Sequence, residues 1–193
     1  MLKHFTNGAD VEVVKSLFRK MSVQQLSSVD KLNYTGTKES MMKTPTVRDA
    51  LRLGHCLTYC KSLVELRLTK CGFDTSTAAT LFEQMREGTL PELVELALND
   101  NALGDDGLSA LLAARSRGAM PKLKKLRLAR NQITVAGIQA LTSSDLRSIV
   151  DLDLAGNDPA TLQTSAAKPA KEMLSRALST KGLNAKEGKV HWE

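Results

Sequence analysis

The stretch LVELAL, residues 93–98, is the clearest copy of a pattern, L-x-x-L-x-L, that recurs along this chain of 193 residues. Further copies begin at Leu63 and Leu123, so that three starts are thirty residues apart, and a fourth copy begins at Ile149. A degraded copy begins at Val29, with Val and Tyr in place of two leucines. Self-similarity at a period of this size indicates a repeat architecture, so the repeat decides the fold.

Each unit predicts one strand followed by one helix. Helical stretches follow three copies at about residues 75–86, 105–115 and 135–141, with aligned apolar positions. One such unit is too small to bury its own apolar side, so units stack and share a core between a parallel sheet and a layer of helices. After each strand, a small polar side chain can bond the backbone groups that the turn leaves unpaired. The residues at this position are Cys71, Asn101, Asn131 and Asn157.

The motif L-x-x-L-x-L-x-x-N-x-L with a following G-D-D-G, as in residues 93–107, resembles the leucine-rich-repeat family. The alternation of Cys71 with Asn101 and Asn131 resembles its ribonuclease-inhibitor-like class. The resemblance covers residues 29–159. It implies an α/β solenoid, a right-handed βα arc with a parallel sheet on the concave face and helices on the convex face. It also implies binding as the usual activity and identifies no partner, because the family binds diverse ones.

The repeats divide the chain into four predicted segments. Residues 1–28 form an N-terminal helical cap, with an amphipathic helix over 9–21. Residues 29–159 hold about five repeats, which start near 29, 63, 93, 123 and 149. Residues 160–182 form a C-terminal capping helix, and residues 183–193 form a tail. Caps are expected because the end units of a solenoid otherwise leave an apolar face in water.

A helix predicted over residues 46–59 raises two questions, its orientation and its thiols. Thr46 can supply the N-cap. Cys56 and Cys60 lie one turn apart beside His55, but a tetrahedral metal site needs two more ligands, so we interpret the cysteines as buried structural thiols. The residues predicted to face inward are Val47, Ala50, Leu51 and Leu57.

Composition and motifs exclude several functions. The chain has no apolar run long enough to span a membrane and no N-terminal secretory signal. Three cysteines without a signal indicate reduced thiols in an intracellular, cytoplasmic protein, with ciliary, ribosomal and mitochondrial assemblies open as hosts. A net charge of +6 permits an acidic partner without demanding one. No phosphate-binding, nucleophile or metalloprotease motif is present, so we expect no enzyme, cofactor, metal or small-molecule substrate.

Outward-facing strand positions form the candidate partner-binding site on the concave face. Their charge changes along the arc from acidic to basic and back to acidic. A solvated face without a partner is the alternative interpretation. The predicted partner-binding residues are Glu65, Arg67, Glu95, Asn99, Lys125, Arg127, Arg130, Asp151 and Asp153.

Seven basic residues fall within the sixteen positions 115–130. Such a patch suits phosphate or an acidic protein surface, whereas the lack of interleaved aromatic residues disfavours specific single-strand RNA binding. A role in solubility alone is the third interpretation. Besides Lys125, Arg127 and Arg130, the patch comprises Arg115, Arg117, Lys122 and Lys124.

Trp192 is the only tryptophan and lies next to the last residue. One interpretation has it fold back onto the final helix as a cap. The other makes it an aromatic anchor in a partner's pocket.

The predicted function is a non-catalytic protein–protein interaction module, a small structural or scaffold subunit of a larger intracellular assembly. One alternative is an RNA-contacting subunit that uses the basic patch at 115–130. A second alternative is a regulator of a small GTPase, because one leucine-rich-repeat family activates such enzymes.

Overall fold

The computed structural model describes residues 4–6, 23–35, 45–157, 167–179 and 189–192. The helix predicted over 9–21 lies outside these residues. The strands are β1 (His4–Thr6), β2 (Lys31–Thr35), β3 (Glu65–Thr69), β4 (Glu95–Ala97), β5 (Lys125–Arg127), β6 (Asp151–Asp153) and β7 (Lys189–His191). The helices are α1 (Val23–Ser27), α2 (Val47–Leu57), α3 (Thr75–Glu83), α4 (Gly104–Ser116), α5 (Val135–Ser143) and α6 (Lys168–Ser179).

The strands that the structure describes form one parallel sheet in sequence order, from β1 to β7. Parallel neighbours need a crossover connection, and helices lie in the connections between successive repeats. The register places equivalent residues of successive repeats side by side. One such row contains Leu32, Leu66, Leu96, Leu126 and Leu152. The predicted α/β leucine-rich-repeat solenoid is therefore confirmed.

The core lies between the sheet and the helices. Leu96 on the strand and Leu98 just after it are 1% exposed, and Leu108 and Leu111 on the facing helix are fully buried. Burying a leucine side chain contributes about 1.5–3 kcal/mol relative to leaving it exposed. Equivalent positions in neighbouring units are buried too, so one apolar core runs through the repeats.

Side-chain caps fix where the helices begin, and one of them links two repeats. Both α2 and α3 begin with a capping box; in α3 it joins Asp74 and Thr77. Thr134 caps α5 by accepting a bond from the Ala136 N–H at 3.1 Å. Thr134 in turn donates from its N–H and its hydroxyl to the Asp105 carboxylate, at 2.9 and 2.6 Å. Asp105, on the first turn of α4, therefore supports the start of the next helix.

Buried asparagine amides hold the turn after each strand, as predicted. The Asn101 Oδ1 accepts bonds from the backbone N–H groups of Cys71 at 3.0 Å and Phe73 at 3.1 Å. Its Nδ2 donates to the carbonyls of Leu68 at 2.8 Å and Leu98 at 2.7 Å. Each amide thus satisfies backbone groups of two successive repeats, which cannot reach water. The buried Asn157 amide makes the equivalent bonds. The buried Asn131 amide donates to the Leu98 and Ala129 carbonyls, and its Oδ1 accepts no bond from the described residues.

The residue that precedes the turn position of each repeat has a left-handed backbone. The turn positions are Cys71, Asn101, Asn131 and Asn157. The φ angles are 56° at Lys70, 58° at Asp100 and 52° at Arg130, and Gly156 has 61° at the equivalent place. A non-glycine residue in this region costs on the order of 1 kcal/mol or more, so the bonds around the turn must hold it there. Three charged residues, Lys70, Asp100 and Arg130, consequently lie along one edge of the sheet, where the strands end.

The orientation predicted for α2 is wrong at two positions. Val47 and Leu51 were expected to face inward, but they are 47% and 41% exposed. Gly54 lies against α3, where an added Cβ would approach Gln84 Cγ to 2.8 Å, so the helix packs on its glycine side. The fully buried line on the helix consists of Ala50, Gly54 and Leu57.

Both ends of the sheet carry a strand that the repeat pattern does not reveal. The segment 183–193, predicted as a tail, contains β7, which pairs in parallel with β6. Val190 lies opposite Leu152 and packs against the core. At the other end β1 pairs with β2, within a segment predicted to be helical. Backbone bonds form strands without the leucine pattern, which is why the sequence does not signal them.

Candidate functional site

The predicted concave-face residues fall into columns across the sheet. One column contains Lys31, Glu65, Glu95, Lys125 and Asp151. A second contains Asn33, Arg67, Ala97, Arg127, Asp153 and His191. Neighbouring strands lie roughly 4.8 Å apart, so charged side chains on adjacent strands can reach one another. We call these two columns the concave ladder.

Alternating charges join four strands of the concave ladder. The Arg67 guanidinium bonds Glu65 and also Glu95, the latter at 2.8 Å. Lys31 Nζ lies 3.5 Å from Glu65, and Lys125 Nζ lies 3.9 Å from Glu95. The acidic and basic regions predicted from the sequence are therefore interleaved as ion pairs.

The bases of the ladder stand outward and the acids lie beneath them. The side chains of Lys31, Arg67 and Lys125 are 45%, 45% and 46% exposed, whereas those of Glu65 and Glu95 are 15% exposed. Partial burial raises the pKa of Glu65, but the bond and charge of Arg67 and the charge of Lys31 outweigh this and lower it overall. The face consequently presents N–H donors to solvent above ionised carboxylates.

A second ion-pair group lies at the C-terminal end of the ladder. Arg127 donates two bonds to the Asp151 carboxylate, at 2.8 and 2.5 Å, in the fork geometry that suits a guanidinium. His191 Nε2 lies 3.2 Å from Oδ1 of the same carboxylate. Asp151 thus connects strands β5, β6 and β7.

Two of the residues with a left-handed backbone, Asp100 and Arg130, form a charged pair beside the ladder. Arg130 bonds Asp100 through two nitrogens, one at 2.9 Å, and its side chain is 59% exposed against 13% for Asp100. The Arg130 bond and charge lower the pKa of Asp100, and Lys70 adds to this. Gly156 leaves room for the Arg130 stem, since a Cβ there would lie 2.8 Å from Arg130 Cγ.

Two predicted site residues support the backbone. Asn99 Oδ1 accepts a bond from the Ala129 N–H at 3.0 Å. Asp153 Oδ1 accepts a bond from the Ala155 N–H at 3.1 Å. Both side chains hold the chain where the strands end.

The basic patch predicted at 115–130 is divided among separate places. Arg115 donates to Ser148 Oγ at 2.8 Å, in the loop before β6. Arg117 donates to a carbonyl near the end of α3 at 3.0 Å. Lys122 pairs with Glu92 at 2.7 Å. These three bases link their own repeat to a neighbouring one, while Lys124 is exposed and Lys125, Arg127 and Arg130 belong to the concave side.

Trp192 is half-buried and packs against the core. The Lys171 ammonium of α6 lies 4.9 Å from the centre of its ring, within the range of a cation–π contact. These contacts place Trp192 against the C-terminal helix.

The thiols lie within the apolar layers. Burial raises the pKa of Cys56, and burial together with the neighbouring Cys56 raises the pKa of Cys60 to about 12. Cys71 is also buried, and none of the three cysteines, all of them described, forms a disulfide. Among the described residues, no group of three or more His, Cys, Asp or Glu side chains could hold a metal ion. None of the described helices is long and apolar enough to cross a membrane.

Sequence reasoning missed three members of this surface. Lys31 belongs to the degraded first repeat, where alignment with Glu65 gives the only signal. His191 lies on β7, which has no leucine pattern. Asp100 directly follows the outward-facing positions of its strand, but its pairing with a residue thirty positions later becomes visible only in the fold.

Comparison with known proteins agrees with this fold. A family model described as Leucine Rich repeat matches residues 90–112 and 119–141. The chain therefore contains leucine-rich repeats, while membership of the ribonuclease-inhibitor-like class stays a prediction. No curated protein matches the sequence.

Two solved structures share the fold at low sequence identity. The tropomodulin C-terminal domain of Caenorhabditis elegans is 18% identical with a TM-score of 0.55, covering 88% of this chain and 93% of that one. The leiomodin-1 actin-binding site 2 is 14% identical with a TM-score of 0.53, covering 82% and 88%. At these identities the likeness concerns the fold.

Proposed function

We propose that this protein is a non-catalytic interaction module that binds a protein segment across its concave face. The observation that carries the proposal is a difference in exposure along the ladder: the bases Lys31, Arg67 and Lys125 are about half-exposed, whereas Glu65 and Glu95 beneath them are largely buried. Such a face offers preorganised N–H donors to carboxylates and carbonyl oxygens, at little cost in side-chain ordering. A scaffold or structural subunit of a larger intracellular assembly would use it to recognise a partner.

The fold supports this proposal. A repeat solenoid presents an extended concave surface on a rigid frame. The name of the leiomodin-1 domain says that it binds actin, so an arc of this kind can serve protein binding. For the present chain the partner is described only by its chemistry, a segment with acceptor groups spaced to meet Lys31, Arg67, Lys125 and Arg130.

The RNA-contacting alternative gains no support from the patch at 115–130. Three of its bases, Arg115, Arg117 and Lys122, bind other parts of the repeats, so the seven bases do not form one continuous patch. The GTPase-regulator alternative gains none either, because no observation at the described residues favours it.

Site-specific photo-crosslinking tests the proposal. A photoreactive amino acid replaces Lys125 on the concave face or, as the control, Gln139 on the exposed side of α5. We expect position 125 to capture one stoichiometric partner in cells and position 139 to capture none. Both positions are exposed, so neither change disturbs the core. Equal capture from both, or recovery of a complex without capture at 125, would refute the concave site.

A further inference from the structure

The arginines of the repeats are nearly all bound within the chain. Those with a hydrogen bond, an ion pair or another such interaction are Arg67, Arg86, Arg115, Arg117, Arg127, Arg130, Arg147 and Arg176. Among the residues that the structure describes, only Arg48 and Arg52 have no such partner. Both are exposed on α2, so their charges are available to another molecule.

These two arginines share their side of the helix with exposed aliphatic side chains. Arg48 and Arg52 are four positions apart, as are Val47 and Leu51, so the pairs form adjacent rows on the helix surface. The acidic residue of the same turns, Asp49, bonds the Thr46 cap at the helix start. We call Val47, Arg48, Leu51 and Arg52 the α2 outer face.

The other central helices present nothing equivalent. The exposed positions of α3, α4 and α5 carry small, polar or acidic residues: Ser76, Glu83, Asp106, Ser109, Ala113, Ser116, Ala136, Gln139 and Ser143. Of the described residues, four large hydrophobic side chains are exposed, and two of them lie on the α2 outer face. Helix α2 is therefore distinguished both by uncompensated positive charge and by exposed apolar surface.

We propose that the α2 outer face is a second docking surface, which binds a protein segment carrying carboxylates beside aliphatic side chains. Two cations without a counterion among the described residues favour an acidic partner, and complementary charge fixes which segment is accepted and in what register. Val47 and Leu51 supply the apolar contact that a charge pair alone lacks. A groove-binding or face-binding amphipathic helix has this combination of side chains.

A protein segment fits this face better than an anionic membrane does. Segments that bind acidic lipids use clusters of roughly four to eight basic residues, and interfacial helices bury large or aromatic side chains as well. The α2 outer face has two arginines and two medium-sized aliphatic residues. The surface is separate from the concave ladder, so a scaffold subunit could hold two partners at once.

Fluorescence anisotropy on the full chain tests the proposal. The probe is a labelled helical peptide of about fifteen residues, with leucines four positions apart and a glutamate beside each. We expect saturable binding that weakens about tenfold or more in the double variant Arg48→Glu/Arg52→Glu, because two attractive contacts become repulsive. Leu51→Gln should weaken it several-fold through the lost apolar contact. The matched controls on α6, Lys168→Glu and Met173→Gln, should leave the affinity unchanged.

Several outcomes overturn the proposal. One is that peptide binding does not saturate. Another is that a peptide with lysine in place of glutamate binds equally well. A third is that the α2 variants bind the peptide with unchanged affinity. Preferential binding of phosphatidylserine vesicles in place of the peptide would assign the face to a membrane. A fall in Tm of several degrees in the α2 variants would show that the chain covers this face itself. Replacement of Lys125 should not alter peptide binding, so failure of the concave site and failure of this one are distinguishable.

Discussion

The concave ladder and the α2 outer face both carry exposed bases, yet the two surfaces hold them differently. On the ladder Lys31, Arg67, Lys125 and Arg127 each pair with a carboxylate of the same or a neighbouring strand. On α2 the two arginines have no described counterion, and aliphatic side chains lie beside them. The bases of the concave ladder are paired with carboxylates of the chain. Those of the α2 outer face require a partner to supply the opposite charge.

The difference shows that exposure of a charge and availability of a charge are separate properties. Arg67 and Arg52 are both exposed, but a ligand of Arg67 competes with Glu65 and Glu95. Binding on the ladder is expected to depend on shape and on acceptor spacing. Binding on α2 is expected to depend on net charge and therefore to weaken more steeply with added salt.

The largest effect is expected when the support beneath the ladder is removed. In Asn101→Ala, the backbone N–H groups of Cys71 and Phe73 and the Leu68 carbonyl lose their amide partner inside the stack, while the Leu98 carbonyl keeps its bond from Asn131. We expect the free energy of unfolding to fall by about 3 kcal/mol, measured by urea denaturation, because each unsatisfied buried group costs on the order of 1–3 kcal/mol. Gln139→Ala on the exposed side of α5 is the control and should change little. A loss equal to the control would mean that the amide does not hold the turn.

A smaller effect should separate the two surfaces directly. Arg127→Ala leaves a partly buried Asp151 without its two-bond partner, and we expect a loss of about 1–2 kcal/mol in the free energy of unfolding. Arg52→Ala removes an unpartnered surface charge and should change that energy by less than about 0.5 kcal/mol. Urea denaturation of both variants at one pH checks the prediction. Losses of equal size would contradict the distinction between the paired charges of the concave ladder and the unpaired arginines of the α2 outer face.

The smallest effect is a pH dependence found only on the concave side. Arg130 lowers the pKa of Asp100, and a lowered folded-state pKa gives stability that is present above the unfolded pKa and lost as the pH falls through the folded one. Asp100→Asn should therefore cost about 0.5 kcal/mol at neutral pH, with the difference from wild type shrinking as the pH falls below about 4. For Arg52→Gln the difference should not follow that carboxylate range. Thermal unfolding at several pH values measures both, and a constant difference for Asp100→Asn would contradict the assignment.

The sequence predicted the parts of the fold that depend on repetition. The leucine columns, the crossover helices and the roles of Asn101, Asn131 and Asn157 all follow from aligning one unit with the next. The orientation of α2 did not follow, because Val47 and Leu51 are as apolar as core residues. The deciding residue was Gly54, whose missing side chain lets α3 approach. The edge strands β1 and β7 depend on backbone pairing, which leaves little trace in composition.

The positions of the candidate residues on the sheet were predictable, but their charge pairing was not. Glu65, Glu95, Lys125, Arg127 and Asp151 were assigned to the concave face, and the register places them in adjacent columns. The basic patch at 115–130, however, was identified from charges that are close together in the sequence. In the fold, charges are paired between neighbouring repeats. Arg130 pairs thirty positions upstream and Arg127 pairs twenty-four positions downstream. Linear density of charge is a poor guide wherever the nearest neighbour in space is one repeat away.

The side-chain bonds between successive repeats have a mechanical consequence. The side-chain bonds between units join residues about one repeat apart, such as Asn101 with Cys71, Arg130 with Asp100 and Lys122 with Glu92. Each layer is therefore fastened only to the layers beside it. Under a pull applied along the stack, such layers would detach one by one from an end, while those between remain closed. A subunit built this way can yield at its margins and still keep its central surface intact.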